Sequence, residues 1–256
     1  MIELRSPQEI QQMEAAGEFV SSTLATLRNH AAVGVDLLEL DALAHELIRD
    51  RGAESCYLDY APSFGSGPFG FVLCTSVNDA ALHGKPHSYR LQDGDLLSID
   101  FAAKVDGWVA DSAQSFVVGT ARAEDLELIE LTERALAAGI AAAVPGNKIG
   151  HISYAIGAVA KAAKIKVNLQ FGGHGVGKTM HGEPFVPNDG RPGRGLPLQP
   201  GLVVAIEPWF MRGTDKLKVA DDGWTLLSAN GSRAAHSEHT VAITEDGPLV
   251  LTRPRG

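Results

Sequence analysis

The apolar and polar positions run twice through one order along the chain: helix, helix, strands. The first helix is expected to open at Ser6. Ser6-Pro7-Gln8-Glu9 has the form of a capping box with proline in the first turn, and the helix should run to about Asn29. A second is expected from near Asp36, with Glu39 three residues on, to Gly52, a residue suited to the left-handed end of a helix. The stretch 57–70 is rich in glycine, proline and aromatics and reads as a loop. Apolar strands follow as FVLCTSV, DLLSIDFAAKV and GWVADSAQSFVV. A second helical pair is expected over about 123–143 and 149–163. Strands then return at KVNLQF, GLVVAIEPWF, WTLLS and EHTVAIT.

The two rounds also share sequence. HGKP at 83–86 is echoed by HGEP at 181–184, and DGW at 106–108 by DGW at 222–224. LQDGDLLSID at 91–100 is echoed without a gap by LQPGLVVAIE at 198–207. The echoes keep their order, so we expect one domain over 1–256 with an internal duplication, its halves roughly 1–120 and 121–256. The matched strand ends in an acid both times, Asp100 and Glu207. A single acid there is ordinarily the first solvated residue after the core. Two in equivalent places could face each other across a pseudo-twofold axis.

Composition narrows the partners. The net charge is −9 and no basic run stands out, which argues against direct binding of nucleic acid. MIELRSPQEI lacks the apolar core of a signal peptide, and no run of 18 apolar residues could span a membrane. Cys56 and Cys74 do not make a disulfide framework. A cytoplasmic protein with free thiols is the expectation.

The chemistry gathers at strand ends and tight turns. Asp106-Gly107 is a two-residue hairpin signal. If Val105 faces Trp108, then Ala102 faces Asp111, and Asp100 points to the same side as Asp111 at roughly 7 Å between Cα atoms. Two carboxylates on one face of apolar strands repel unless a cation or proton intervenes; the alternative is a solvated sheet edge. Glu207 and Glu238 at strand ends, and His174 in a glycine-rich turn, enlarge the set. Oxygen-rich ligation with one imidazole suits Mn, Fe, Co or Zn better than a thiolate-loving structural zinc site. Four carboxylates exceed the needs of one divalent ion and match a two-metal site. GGHGVGKT also fits the phosphate-loop pattern, but that motif needs a helix directly after GK[ST]. Here MHGEPFVPNDGRPG follows, with three prolines and three glycines, and no helix can start there.

VNDAALHG, SIDFAAKVDGWVADSA, GGHGVG, MHGEP, AIEP and SEHT together resemble the type I methionine aminopeptidases, over nearly the whole chain. The resemblance implies the pita-bread fold. That fold is α+β, with two pseudo-twofold-related halves and an antiparallel sheet covered by two helical pairs. It implies that Asp100, Asp111, His174, Glu207 and Glu238 ligate two divalent metal ions (Co, Mn, Fe or Zn), with Asp111 and Glu238 bridging. Glu207 would also be general base or proton shuttle. His181 would hydrogen-bond the scissile carbonyl and stabilise the oxyanion, and His83 would contact the substrate near the scissile amide. The implied reaction removes the initiator methionine from new proteins, a metal-bridging hydroxide attacking the first peptide bond, with a small second residue. The methionine pocket of that family is apolar. Cys74, Met180, Trp224 and an aromatic from the segment 57–60 are the candidates for its walls. The implied partners are N-terminal peptides of nascent proteins, with transient ribosome contact, and a monomer is expected.

The sequence departs from the family in three places. Met180 precedes His181 where relatives often carry an aromatic, His236 stands two residues before Glu238 where many have Gln, and the loop 60–70 is longer than in the simplest bacterial members. These departures bear on the shape of the pocket, not on the metal chemistry. We expect no insertion of the type II kind in the second half and no Cys-rich or Pro-rich extension before the first helix. Two competing functions are a prolidase-like or proline-specific aminopeptidase, which usually carries a further N-terminal domain, and a catalytically dead binding protein of the same fold, which would have lost ligand residues.

Overall fold

The computed structural model describes residues 2–63 and 65–253; Phe64, which falls in the expected loop 57–70, lies outside them, as do Met1 and 254–256. Helix α1, Pro7–His30, starts on the expected capping box: the Glu9 amide donates to Ser6 Oγ at 3.2 Å, and the Ser6 amide donates to the Glu9 carboxylate at 2.8 Å. Helix α2, Leu37–Arg51, is capped by the Asp36 side chain and closed by Gly52 at φ +67°. Helices α3, Ala123–Ala142, and α4, Ile149–Ala162, form the second pair.

The hairpin read from sequence is present in the expected register. Strands Asp95–Val105 and Trp108–Val118 pair antiparallel, with Val105 opposite Trp108 and Ala102 opposite Asp111. Its turn residues Asp106 and Gly107 both have positive φ, 50° and 79°, as a two-residue turn matched to strand twist requires. The hairpin belongs to a nine-stranded sheet in which every pairing is antiparallel. From one edge the order is Glu54–Ser55, Asp95–Val105, Trp108–Val118, Glu238–Thr244, Val203–Ile206, Gly173–Gly175 and Gly182–Val186. Cys74–Val77 also pairs with Asp95–Val105, and Gly247–Val250 with Glu238–Thr244.

Side-chain alternation divides the sheet into two faces. Leu97, Ile99, Phe101, Ala103 and Val105 pack with residues of α1 and α2. Val204, Ile206, Val241 and Ile243 pack with residues of α3 and α4. Ala102, Val109, Val203, Ala205 and Ala242 turn to the other face, against Tyr57, Phe69, Cys74, Met180 and Trp224. The candidate ligands share the parity of this second set, so the fold puts them on the face away from the helices.

Four expected strands are corrected. KVNLQF forms none: Asn168 Oδ1 accepts from the Gln170 amide and Nδ2 donates to the Asp215 carbonyl, closing a local turn instead of a ladder. GLVVAIEPWF breaks at Pro208, which has no N–H to give. Val203–Ile206 stays in the large sheet, while Trp209–Met211 pairs with Ala234–His236. FVLCTSV is strand only over Cys74–Val77, because the amides of Val72 and Leu73 go to Asp41 Oδ1. WTLLS is strand only over Leu226–Ser228, because the amides of Trp224 and Thr225 go to Asp222 Oδ1.

Helix α1 carries a testable constraint at Gly17. A Cβ there would lie 2.1 Å from the carbonyl oxygen of Leu251 and 2.6 Å from its carbon. Alanine favours helix over glycine by about 1 kcal/mol, while forced overpacking costs about 1–3 kcal/mol. The contact is with backbone, so the clash should win. Gly17→Ala is expected to lower the melting temperature in a thermal scan; an equal or higher value would show that the Leu251 segment yields freely.

Candidate functional site

Sheet register assembles the acids. Asp100 pairs with Ala113 from one side and Glu238 pairs with Ala113 from the other. Asp111 lies two residues from Ala113 and shares its face. Glu207 follows Ile206, whose partner is His239, and so sits beside Glu238. Four carboxylates therefore meet over a single methyl group, on strands about 4.8 Å apart. His174, in Gly173–Gly175, brings Nε2 to 3.4 Å from Glu207 Oε1 and 3.7 Å from Asp111 Oδ2. The glycines flanking it are required: a Cβ at Gly173 would sit 2.1 Å from the Ala205 carbonyl oxygen, and one at Gly175 2.1 Å from that of Glu183. Backbone bonds fix the acids in turn. Thr240 Oγ1 donates to the Asp111 carbonyl, Ser112 Oγ to that of Glu238, and Asn188 Nδ2 to that of Glu207.

Burial dominates the electrostatics. It raises the Asp100 pKa to about 6, against the lowering effect of a hydrogen bond from Tyr57. Asp111, Glu207 and Glu238 are pushed well above the carboxylate range, by desolvation first and by mutual repulsion second. Burial lowers His174 to about 3 and His83 to about 4, with nearby His181 adding to both, so these rings are neutral donors at ordinary pH.

The acids form the floor of a pocket walled by Tyr60, Phe69, Cys74, Met180 and Trp224. Its lining brings together all ten residues singled out from sequence: Asp100, Asp111, His174, Glu207 and Glu238, with His83, His181, Cys74, Met180 and Trp224. His181 is at the exposed rim, its ring centroid 4.2 Å from that of His174. His83 has φ +55°, a conformation unusual for a residue with a Cβ. The next residue is pinned: the Gly84 amide donates to Ser76 Oγ, and its carbonyl accepts from the Thr75 amide. Trp224 stacks edge-on against Phe69 at 5.1 Å, and Tyr60 lies 5.1 Å from His181.

The glycine-rich turn is no phosphate cradle. Gly177 and Val176 give their amides to Thr179 and Val203 carbonyls, and Lys178 Nζ lies 3.3 Å over the Trp108 ring. A strand, Gly182–Val186, follows in place of a helix.

Sequence reasoning missed two residues at the acids. Tyr57 entered only as a candidate pocket wall, yet its hydroxyl donates to Asp100 Oδ1 at 2.5 Å and lies 3.2 Å from Asp111 Oδ1. His236 entered only as a departure, yet its Nε2 lies 3.8 Å from Glu207 Oε2 and 3.8 Å from Glu238 Oε2. Each is set by a long-range approach that no spacing along the chain encodes.

The sequence profile of metallopeptidase family M24 matches residues 11–245. The chain is 45% identical over 255 residues to methionine aminopeptidase 1 of Mycobacterium tuberculosis, covering 97% of this chain and 94% of that protein. It is similar in structure to a methionine aminopeptidase of Thermotoga maritima, with TM-score 0.93, 33% identity, and coverage of 99% of this chain and 100% of that one. A prolidase of Pyrococcus furiosus shares the fold at TM-score 0.77 and 21% identity, but this chain covers only 66% of it. The pita-bread fold expected from the sequence is thereby established.

A metallopeptidase family implies a metal, and the donor set fits one. Asp111, His174 and His181, and likewise His174, Glu207 and Glu238, offer ligand atoms all within 4.8 Å of one another. Glu238 Oε1 is buried and makes no hydrogen bond. An unpartnered carboxylate oxygen among three other acids calls for a cation.

Stability should report this. The depressed histidines favour folding progressively as pH rises toward 6.5, the unfolded value, and that contribution is complete above it. The raised carboxylates act oppositely: their contribution is present below the ordinary 3.8 to 4.5 and is lost as pH climbs through the folded values. Asp100 spends its share by about pH 6, and Asp111, Glu207 and Glu238 are shifted in the same direction. Metal-free protein should therefore lose the stability its carboxylates contribute as pH rises through their folded values. Mn(II) displaces those protons and stabilises by mass action, about 2.7 kcal/mol at a hundredfold excess over Kd. The gap between Mn(II)-loaded and chelator-treated melting temperatures should widen with pH; a constant or narrowing gap would contradict the acidic cluster as the seat of binding.

Proposed function

This chain belongs to metallopeptidase family M24, and on that premise we propose that it removes the N-terminal methionine from newly made proteins. The observation that carries the reading is the meeting of four carboxylates and His174 on the floor of a pocket walled by Tyr60, Phe69, Cys74, Met180 and Trp224. Such a pocket suits an unbranched thioether side chain, since aromatic faces and soft sulfur attract one another.

Asp100, Asp111, His174, Glu207 and Glu238 would hold the divalent ions. When bound, such ions polarise the substrate carbonyl and lower the pKa of the attacking water. Glu207 would take the proton released by the attacking water. His181, at the rim, donates its ring N–H to the carbonyl oxygen as it becomes an oxyanion. His83, also in the pocket lining, is placed to contact the amide nitrogen that leaves. The acidic floor also attracts the free α-amine of the peptide, which favours an exopeptidase over an endopeptidase. A small second residue is part of the proposal, as is reading 1–256 as one duplicated domain, supported by the ordered echoes along the chain. We assign this work to the cytoplasm, on nascent chains, by a monomer in transient contact with the ribosome. Among the described residues no helix is long and apolar enough to cross a membrane.

Cleavage of Met-Ala-Ser but not of Ala-Ala-Ser, Met-Leu-Ser or Ala-Pro-Ser is the expected outcome with added metal. Release of alanine from Ala-Pro-Ser in place of methionine from Met-Ala-Ser would favour a proline-directed activity.

The roles of His181 and Glu207 separate in a second measurement. His181→Ala should keep its metal content and lose about 10²–10³ in kcat, while Glu207→Gln should lose metal affinity and kcat together. Loss of metal from His181→Ala, read by elemental analysis, would overturn the assignment of His181 as a donor only.

A further inference from the structure

His236 is buried to 2% exposure beside Glu207 and Glu238, and no step above uses it. Its Nε2 makes no hydrogen bond. The ring is not free to turn away, because its backbone is clamped. The His236 amide donates to Ser115 Oγ at 2.8 Å, the Ser115 hydroxyl approaches the His236 carbonyl at 2.8 Å, and Ser115 is itself bonded to Ser98 at 2.6 Å. Pairing with Trp209, in the strand just after Glu207 and Pro208, fixes its height relative to the acids.

Nε2 stands 3.8 Å from an oxygen of Glu207 and 3.8 Å from one of Glu238. That is beyond a hydrogen bond. It approaches the separation of two ligand atoms on one ion, about 3–3.4 Å for bonds of 2.0–2.2 Å. A ring nitrogen of His236 and oxygens of Asp100 and Glu238 all lie within 4.8 Å of one another. His174 belongs to a different trio, with Glu207 and Glu238. The two imidazoles thus reach the acids in separate ligand sets, sharing only Glu238.

We propose that His236 is a sixth protein ligand of the metal centre, supplying an imidazole, with Asp100 and Glu238, to the ion that His174 does not hold. This rests on the two-ion reading above. It gives each ion a nitrogen donor. Imidazole favours Co, Ni and Zn over Mn along the divalent series, so the second ion should discriminate among metals more sharply than a carboxylate-only site would.

Cadmium-113 NMR of protein carrying nitrogen-15 histidine tests the bond itself. Two imidazole rings with one-bond coupling to cadmium are expected in the unaltered chain; coupling to one ring alone would overturn the assignment. Calorimetric titration with Co(II) supplies a second measurement. His236→Gln keeps an amide near the Nε2 position but is a poor ligand. It should bind the first Co(II) as before and the second at least about tenfold more weakly. Unchanged affinity for both ions would mean that neither ion is bound by His236 and would overturn the proposal. Uptake of a single Co(II) by the unaltered chain would overturn the two-ion reading itself, and this ligand with it; the stoichiometry separates the two failures.

Discussion

Mutual repulsion among four buried carboxylates is the constraint on which the rest of the structure depends. Asp100, Asp111, Glu207 and Glu238 come from four adjacent strand segments and turn to one face over Ala113. Left to themselves they would exclude one another's charge, and burial does raise each of their pKa values. A fold that keeps such a cluster must anchor it from behind. The helices α1 to α4 provide that anchor through two apolar clusters on the opposite face of the same strands. The pleat links the two requirements: Ile99 and Phe101 are buried against α1 and α2 because Asp100 between them is not.

The hairpin was legible in the sequence because its determinants are local. Asp106-Gly107 fixes the turn, the turn fixes the register, and the register places Asp100 diagonal to Asp111. The capping box at Ser6 and the Gly52 stop are local in the same sense. The reading failed where a side chain took backbone amides from a strand. Asp41 removes Val72 and Leu73 from the ladder, and Asp222 removes Trp224 and Thr225. Apolar character alone gives no warning of either.

The candidate site divides along the same line. The ten residues named from motif and resemblance all line the pocket; Asp100 and Asp111 sit inside the long hairpin strands, where the register sets their positions. Tyr57 arrives from an irregular loop and His236 from a short strand of another sheet. Their distances from the acids follow from how that loop and sheet pack on the large one. That is tertiary information.

The donors around the acids are too few for the charge they face. Tyr57 has one hydroxyl proton, which can serve Asp100 or Asp111 but not both at once. The shorter contact assigns it to Asp100, and burial raises both. His174 and His236 are held neutral by burial and offer at most one N–H each toward the cluster. Three neutral donors carry no net charge to offset four carboxylates, and Glu238 Oε1 makes no hydrogen bond. Adding a lysine would supply one charge but would fill the pocket. Divalent cations supply the missing charge in the smallest volume and leave room above for a substrate. The protein's own part is then to present neutral nitrogen and anionic oxygen in fixed positions. Strands fastened by Thr240, Ser112 and Ser115 bonds do this without any mobile element.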